Sequence, residues 1–305
     1  MSKSDIILTA YCMAYNHEKY IKKTLEGFVN QRTSYKYKVI VHDDASTDGT
    51  AAIIKEYAER YPDIIVPVLQ KENQYSKDAG IFNNFIKPLL EGKYVASCEG
   101  DDYWCDPEKL QKQIDFLENN PDFSACAHNT EKIIEDGSST GMFFNSSRTD
   151  REISTDEIIK YGSAFIHLNS IVCRREYRAN KPSAFSVPTA GDYTLLIYLA
   201  TVGKIWYIAD VMSKYRMFSS GSWSAKMKRD KNLKIKHSKD SITALEKMNE
   251  YTHGKYSKSF NLEIKYSKAR IVYYEKGLPG VLLHPCYWAI FVKKFIEKIT
   301  GKTDI

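Results

Sequence analysis

Regular alternation of strand-like and helix-like segments over the first 130 residues is the feature that most constrains the fold. Short runs rich in β-branched and aromatic residues predict strands, and the segments between them carry apolar residues at helical spacing. The predicted strands cover residues 6–10, 37–41, 64–69 and 94–98, and the predicted helices begin after Asn16, after Ser46 or Thr47, near Ile81 and after Asp106-Pro107. Such alternation predicts an α/β fold with a mostly parallel, doubly wound sheet.

Acidic residues follow two of the predicted strands directly. Asp43 and Asp44 come after the second strand, and Glu99, Asp101 and Asp102 come after the fourth. Ligands of doubly wound sheets bind beyond the carboxyl ends of the strands, so both clusters are expected on one ligand-binding rim. Crowded carboxylates can be a solvated turn or a helix N-terminus. Two clusters on one rim favour a site for a divalent cation such as Mg²⁺ or Mn²⁺, which prefers carboxylate oxygen and bridges to phosphates.

The sequence lacks the glycine-rich motifs that usually hold phosphates. Neither G-x-x-x-x-G-K-[ST] nor G-x-G-x-x-G occurs, so a nucleotide would have to be held by carboxylates, a metal and a stacking aromatic ring. Tyr15, just beyond the first predicted strand, is in a position to supply that ring. A half-buried loop tyrosine is the alternative interpretation for any one of the 22 tyrosines.

Three segments carry a resemblance to a known family. AYNHEKYIKKTLEGFVNQ, VIVHDDASTDGT and CEGDDYWCDPEKLQKQIDFL resemble, in order and spacing, three successive blocks of family 2 glycosyltransferases with the GT-A fold. The resemblance covers roughly residues 5 to 222. It implies an inverting enzyme that moves a sugar from a nucleoside-diphosphate sugar, a UDP-sugar being favoured, to a saccharide or lipid-linked oligosaccharide in cell-surface polysaccharide biosynthesis.

The resemblance also implies roles for residues on the rim. Tyr15 would stack on the base of the donor, and Asp44 would accept a hydrogen bond from its uracil ring. Asp101 and Asp102 would bind Mn²⁺ or Mg²⁺, with Asp101 also contacting the donor. Glu99 stands where the family commonly has aspartate, so we expect it to lie outside the ligand set.

Further donor contacts and a general base are predicted elsewhere. We predict that Ala10 and Tyr11 contact the donor and that Arg216 touches a phosphate, although an arginine that ends a strand is more often a surface ion-pair residue. A sugar hydroxyl needs a base to take its proton during attack. The resemblance places that base at Asp192, whose alternative role is to cap the helix that begins there.

Other blocks are expected to shape the acceptor side. The segment HLNSIVCRREY, from His167 to Tyr177, resembles an acceptor-facing block, and we expect His167 itself to be a half-buried histidine. Many relatives have a histidine where this chain has Phe218, which puts a third protein ligand to the metal in doubt. Residues 135–152 are polar and rich in Gly and Ser, which predicts a mobile surface loop.

The C-terminal part has a different composition. Residues 223–305 hold 18 Lys+Arg against 8 Asp+Glu, a net charge of +10, whereas residues 1–222 hold 26 against 30, a net charge of −4. We therefore predict a catalytic domain over 1–222 and a basic helical extension over 223–305. The extension joins aromatic residues to Lys293, Lys294 and Lys298, so it is expected either to lie on a membrane surface or to pack on protein, including a second subunit.

Compartment and competing functions can also be addressed. Six scattered cysteines and no long apolar segment predict a cytosolic protein, either free or peripheral on the inner face of the cell membrane. One alternative is a nucleotidyltransferase, which would need more basic residues near the first strand than Lys19, Lys22 and Lys23. Another is a nucleic-acid-binding protein with a basic tail. The acidic rim opposes it, so no nucleic-acid partner is predicted.

Overall fold

The computed structural model describes residues 5–77, 80–182, 185, 187, 191–219, 222–288 and 292. Within them the strands are β1 (Leu8–Ala14), β2 (Tyr37–Asp43), β3 (Ile65–Leu69), β4 (Tyr94–Ser97), β5 (Tyr103–Trp104), β6 (Phe123–Ile133), β7 (Ser139–Phe143), β8 (Arg151–Ile153), β9 (Val172–Arg174) and β10 (Lys204–Arg216). The α-helices are α1 (Ile21–Val29), α2 (Thr50–Arg60), α3 (Lys109–Asn119), α4 (Thr155–Tyr161), α5 (Arg175–Ala179), α6 (Gly191–Val202), α7 (Trp223–Arg229), α8 (Lys231–Tyr251) and α9 (Ser257–Leu282).

The first of two compact units contains the sheet. This unit comprises Met1–Glu152, Ile166–Asn180 and Val202–Met217. The strand order is β3-β2-β1-β4-β9-β6-β10-β5, with β7 paired to β6 and β8 to β10. Strands β3, β2, β1 and β4 are mutually parallel, as are β6 and β10, whereas β9 and β5 are antiparallel to their neighbours. The predicted α/β class with a mostly parallel central sheet is confirmed.

The strand directions bring the functional ends to one rim. Strand β9 is antiparallel to both β4 and β6, so β4 and β6 run in the same direction. Strand β10 is parallel to β6. Strand β1 is parallel to both β2 and β4, so these three strands also run in one direction. The carboxyl ends of all five strands therefore lie on the same rim. Both acidic clusters of the sequence follow strands that end there.

Helix α1 is held against the sheet by its apolar face. Ile21, Leu25 and Phe28 are fully buried and recur at i, i+4 and i+7, which places them on one side of the helix. The Phe28 ring meets the ring of Trp104 edge to face at 4.8 Å. A Cβ atom at Gly27 would lie 2.6 Å from the Trp104 carbonyl oxygen. Glycine is therefore required for this close approach of α1 to β5.

Three local predictions differ from the structure. Helix α1 begins at Ile21 rather than after Asn16, because Asn16 has a positive φ of 56° and its side chain instead accepts the Thr47 N–H. The helix near Ile81 is a π turn (Phe82–Ile86) and a 3₁₀ turn (Lys87–Leu89), since Pro88 has no N–H to continue a regular helix. The predicted loop over 135–152 instead contains β7, which forms a hairpin with β6.

The second unit is helical. It comprises Ile153–Phe165, Lys181–Thr201 and Phe218–Ile305. Helix α6 is apolar on nearly all sides, with residues 194–200 buried. Phe185 packs edge to face on Tyr251 of α8 at 4.8 Å. Helix α9 is kinked at Gly277, whose φ is 69°, two residues before Pro279.

The predicted helical character of the C-terminal region is confirmed. The second unit also includes Ile153–Phe165 and Lys181–Thr201, which precede the predicted domain boundary at residue 222. That boundary stays a prediction. In the part of the chain that the structure describes, no helix is long and apolar enough to cross a membrane. Lys293, Lys294 and Lys298 lie outside the described residues.

Candidate active site

Asp102 is the most strongly fixed carboxylate on the rim. Its side chain is 1% exposed. Oδ1 accepts the Arg216 backbone N–H at 2.9 Å, and Oδ2 accepts the Asn169 side-chain amide at 3.0 Å. Burial, together with the neighbouring charge of Asp101, raises the pKa of Asp102 well above its usual range. A nearby cation would remove much of that cost of ionisation, because it stabilises the charged form.

Asn169 determines how the Asp102 carboxylate is oriented. Its Oδ1 accepts hydrogen bonds from Ser213 Oγ at 2.8 Å and Thr130 Oγ1 at 3.2 Å. Its backbone oxygen accepts the indole N–H of Trp104 at 2.9 Å. Because a carboxylate only accepts hydrogen bonds, the amide nitrogen of Asn169 points at Asp102 and Oδ1 at the two hydroxyl groups. Asn169 was not among the predicted site residues, although it lies in the segment from His167 to Tyr177 that was expected to face the acceptor.

A buried lysine packs against Trp104, which belongs to this network. Lys109 is fully buried, and its Nζ donates to Gln113 Oε1 at 2.8 Å. The ammonium group lies 4.0 Å from the centre of the Trp104 ring. Gln113 in turn donates to the backbone oxygens of Cys126 and Ser170. Burial lowers the pKa of Lys109 to about 7, so this amine is only partly charged at neutral pH.

His167 lies beside Asp102 but does not bond to it directly. Its Nδ1 is 3.8 Å from Asp102 Oδ2, beyond hydrogen-bond distance. The ring packs between Tyr215, at 4.4 Å, and Phe144, at 4.9 Å. The side chain is half-buried, as expected.

Asp101 and Glu99 differ in their surroundings. Asp101 is buried, and its backbone oxygen accepts the Arg216 Nε–H at 3.0 Å. Glu99 is exposed. Between them, a Cβ atom at Gly100 would lie 2.6 Å from Nδ1 of His17. That nitrogen is buried and has no hydrogen-bond partner within the described chain. Burial lowers the pKa of His17, so a neutral imidazole lies behind the acidic segment.

The two residues predicted to hold the donor base lie on the same rim. Tyr15 follows β1 and is 45% exposed, so its ring is available for stacking. Asp44 is buried, and its two carboxylate oxygens accept the backbone N–H groups of Gln74 at 2.7 Å and Tyr75 at 3.0 Å. Each oxygen keeps a second lone pair. Asp44 therefore fixes the chain after β3 and retains the capacity to accept from a ligand.

Ala10 and Tyr11 lie inside the sheet and not on the rim. Ala10 is fully buried in the middle of β1. The Tyr11 ring packs on Phe82 at 5.6 Å, and its hydroxyl accepts a hydrogen bond from Arg178 at 2.9 Å. Both side chains belong to the core because β1 is covered on its two faces. Their assignment as donor contacts stays a prediction.

Arg216 is buried at the carboxyl end of β10 and lines an open cavity. Besides the bond to Asp101, its Nη1 donates to the backbone oxygens of Ile134 at 3.1 Å and Glu135 at 2.5 Å. The guanidinium carbon lies 4.6 Å from the centre of the Tyr20 ring. The cavity has a volume of about 720 Å³. This environment is not that of the surface ion-pair arginine that commonly ends a strand.

Asp192 and Phe218 belong to the second unit. Asp192 lies in the first turn of α6 and is exposed. Phe218 has a positive φ of 58° and is 45% exposed. Lys228 lies 4.7 Å from the centre of the Phe218 ring. A phenylalanine offers no metal ligand at this position.

The carboxylate pair fits a cation that shares its ligands with a substrate. Across the described residues, no three His, Cys, Asp or Glu side chains come together as a metal-binding group. Asp101 and Asp102 are adjacent, buried and mutually repulsive. Mg²⁺ and Mn²⁺ sites that use one or two carboxylates complete their coordination with water and phosphate oxygens. The residues present fit that kind of site.

Comparison with known proteins gives one family and several relatives. The sequence model of the family described as Glycosyl transferase family 2 matches residues 10–176 of this chain. An uncharacterized protein of Mycobacterium tuberculosis is 38% identical over 213 residues, which is 69% of this chain and 59% of that protein. This chain thus spans about three-fifths of the length of that relative.

Two further relatives carry functional names. The putative teichuronic acid biosynthesis glycosyltransferase TuaG of Bacillus subtilis is 26% identical over 70% of this chain and 82% of its own. The UDP-Glc:alpha-D-GlcNAc-diphosphoundecaprenol beta-1,3-glucosyltransferase WfaP of Escherichia coli is 27% identical over 70% of this chain and 77% of its own.

Two solved structures resemble the whole chain. Staphylococcus aureus TarS 1-349 in complex with UDP-GlcNAc has a TM-score of 0.56 at 13% identity, covering 98% of this chain and 93% of that one. The mannosyltransferase PcManGT from Pyrobaculum calidifontis, in complex with GDP-Man and Mn²⁺, has a TM-score of 0.53 at 15% identity, covering 99% and 91%. At these identities the likeness shows a shared fold.

Proposed function

The chain belongs to glycosyl transferase family 2, and from this premise we propose that it is an inverting glycosyltransferase of cell-surface polysaccharide biosynthesis. It transfers a sugar from a nucleoside-diphosphate sugar to a hydroxyl group of a saccharide or lipid-linked oligosaccharide. The observation that carries the proposal is the buried pair Asp101-Asp102 at the carboxyl end of β4, with Asp102 oriented by Asn169 and the Arg216 backbone. A carboxylate pair held in this way suits a substrate that brings its own cation.

A nucleotide sugar is the proposed donor, with a UDP-sugar favoured. Of the two similar structures, TarS 1-349 is in complex with UDP-GlcNAc and PcManGT is in complex with GDP-Man and Mn²⁺. In this chain the exposed ring of Tyr15 is proposed to stack on the base. Asp44 is proposed to accept the uracil N–H through a lone pair that the Gln74 and Tyr75 N–H groups leave open.

Mn²⁺ or Mg²⁺ is proposed to bind at Asp101 and Asp102. When bound, the cation neutralises the charge that grows on the nucleoside diphosphate as the sugar–phosphate bond breaks. Asn169 keeps the Asp102 carboxylate in one orientation, so the ligand oxygen is preorganised before the donor arrives. Glu99 is exposed and is proposed to take no part in binding the metal.

Asp192 is proposed to be the general base. Its carboxylate is exposed at the start of α6, so it can meet the hydroxyl of an incoming acceptor. It would take the hydroxyl proton as the acceptor oxygen attacks the anomeric carbon from the face opposite the leaving diphosphate. One carboxylate suffices for such a one-step inversion.

The acceptor is proposed to be lipid-linked, at the inner face of the cell membrane. The name of the E. coli relative WfaP specifies an acceptor sugar on diphosphoundecaprenol. In this chain large apolar side chains are exposed near the end of α9 and just beyond it, at Leu282, Leu283 and Trp288. Together with the net charge of +10 over residues 223–305, they are proposed to contact an anionic membrane surface.

The proposal is tested through donor binding with and without metal. We expect UDP, GDP or dTDP sugars to raise the melting temperature of the wild-type protein selectively, and more so with Mn²⁺. In Asp102→Asn and Asp102→Ala the metal-dependent part of that stabilisation and the transfer of sugar should both be lost. The Asn variant matters because Ala leaves the Asn169 amide without an acceptor and lowers stability.

Glu99→Gln is the matched control. Glu99 is exposed and lies three residues before Asp102 in the sequence. The substitution removes only its charge, so donor binding should be retained. Full transferase activity in excess EDTA, or metal-dependent donor binding by Asp102→Asn, would contradict the assignment of the metal site.

A further inference from the structure

The cavity that Arg216 lines is separate from the residues assigned to the donor. It has a volume of about 720 Å³ and lies entirely within the first unit. It is lined by Lys19, Tyr20, Lys23, Tyr103, Arg216 and the turn after β6, residues 134–137. Tyr15 and Asp44 are not among its walls. The lining carries three cationic and two acidic side chains.

Arg216 gives this cavity a fixed anion-binding group. It is 5% exposed, and its Nε and Nη1 are used by the backbone oxygens of Asp101, Ile134 and Glu135. Within the described chain its Nη2 makes no hydrogen bond. An arginine whose orientation is already determined loses little entropy when its remaining N–H groups bind an anion. A phosphate oxygen accepts strong, charge-assisted hydrogen bonds from such N–H groups of an arginine.

Two lysines add positive charge that no ion pair within the described residues engages. Lys19 and Lys23 are exposed and four residues apart. Neither side chain makes an ion pair or a hydrogen bond to any residue that the structure describes, and Lys23 lies 5.0 Å from the centre of the Tyr103 ring.

The acidic residues of the cavity are already engaged. Glu135 accepts the Tyr20 hydroxyl at 2.8 Å, and Asp136 accepts the Ser138 N–H at 2.7 Å. The lysines are therefore available to a ligand, whereas the carboxylates have local donors.

We propose that this cavity binds the diphosphate group that links the acceptor saccharide to its lipid. The inference rests on the proposed function. The diphosphate of the donor has its counter-charge in the cation at Asp101 and Asp102, whereas a diphosphate on the acceptor needs a second cationic site. Because Arg216 bonds to the Asp101 backbone, the cavity adjoins the segment that carries the carboxylate pair. In this arrangement Arg216 contacts the phosphate of the acceptor and not that of the donor.

Binding of farnesyl diphosphate, a soluble prenyl diphosphate, tests the proposal by calorimetry. The titrations are made in EDTA, so that no divalent cation can carry the diphosphate to Asp101 and Asp102. We expect the wild-type protein to bind farnesyl diphosphate and not farnesol. Lys19→Gln/Lys23→Gln should weaken binding roughly ten-fold or more, the usual consequence of losing hydrogen bonds to a charged group.

The matched control is Lys22→Gln/Lys55→Gln, which removes two exposed lysines of α1 and α2 that do not line the cavity. It should change affinity by less than about two-fold, the level expected for screened surface charges. Both double variants should bind UDP with Mn²⁺ as the wild type does.

Four results would overturn the proposal. They are no binding of farnesyl diphosphate by the wild type, equal binding of farnesol, equal losses in the two double variants, and a parallel loss of UDP affinity in Lys19→Gln/Lys23→Gln. The last result would make the cavity part of the donor site. Failure of the proposed function has a different signature, because the wild type would then not bind any nucleotide sugar with Mn²⁺.

Discussion

Replacing Lys109 by methionine should change how the stability of the protein depends on pH. The ammonium group is fully buried beneath Trp104, and burial lowers its pKa from 10.5 to about 7. The unfolded chain keeps the ordinary value. Between pH 7 and 10 the unfolded state therefore holds a proton that the folded state has released. Under that condition the free energy of unfolding rises with pH.

The size of the effect follows from the two pKa values. One pH unit is worth about 1.4 kcal/mol when the unfolded state binds one proton more. Near pH 7 the folded lysine is half protonated, so the slope there is smaller. From pH 7 to pH 9 the wild type should gain about 2 kcal/mol from this residue, and Lys109→Met should gain none.

Other groups titrate in the same range and must be cancelled. Burial raises the pKa of the Cys98 and Cys126 thiols, which lowers stability as pH rises above about 9. Both proteins contain these thiols, and burial keeps the thiols protonated in both folded proteins up to about pH 9, so between pH 7 and 9 the difference between the unfolding free energies reports Lys109. Methionine also leaves Gln113 Oε1 without its donor, a cost of about 1–3 kcal/mol that does not depend on pH. The slope, and not the absolute difference, is therefore the quantity predicted.

Urea unfolding followed by circular dichroism at pH 7, 8 and 9 measures that slope. Lys55→Met, which replaces an exposed lysine of α2, should run parallel to the wild type. Parallel curves for Lys109→Met would refute the reasoning, because they would mean that Lys109 is charged in the folded protein.

Two further predictions concern the proposed site. Asp44→Asn should lower UDP affinity roughly ten-fold or more, given about 1–3 kcal/mol for a lost charged hydrogen bond. The substitution also deprives one of the Gln74 and Tyr75 N–H groups of its acceptor, so the melting temperature should fall. A lower melting temperature with unchanged UDP affinity would make Asp44 purely structural. Asp192→Asn should keep UDP affinity, while turnover falls by about 10² to 10⁴. Asp192 is the second residue of α6, so the loss of its charge near the helix N-terminus should cost only about 0.3–1 kcal/mol of stability. An active Asp192→Asn enzyme would remove the role of general base from Asp192.

Local pattern in the sequence was sufficient for the fold class and for part of the site. Apolar periodicity is a property of neighbouring residues, so it predicted β1 to β4 and α1 to α3 within a few residues. Asp101 and Asp102 follow β4 in the chain, and parallel strands place their carboxyl ends together, so their position on the rim also follows from order alone. The Asp136-Gly137 pair, where Gly137 has a φ of 90°, was a turn signal that could have predicted the β6–β7 hairpin.

Tertiary structure alone decided which side chains surround those carboxylates. Asn169 is 67 residues from Asp102 in sequence, and it reaches Asp102 only because antiparallel β9 is inserted between β4 and β6. From local pattern alone, a lysine in the first turn of an amphipathic helix such as α3 is expected on the surface. In the structure Lys109 packs against Trp104, which buries the side chain and lowers its pKa. The cavity of Lys19, Lys23 and Arg216 likewise unites α1 and the turn before it with β10. Such contacts depend on pairing between distant segments, which local periodicity does not encode.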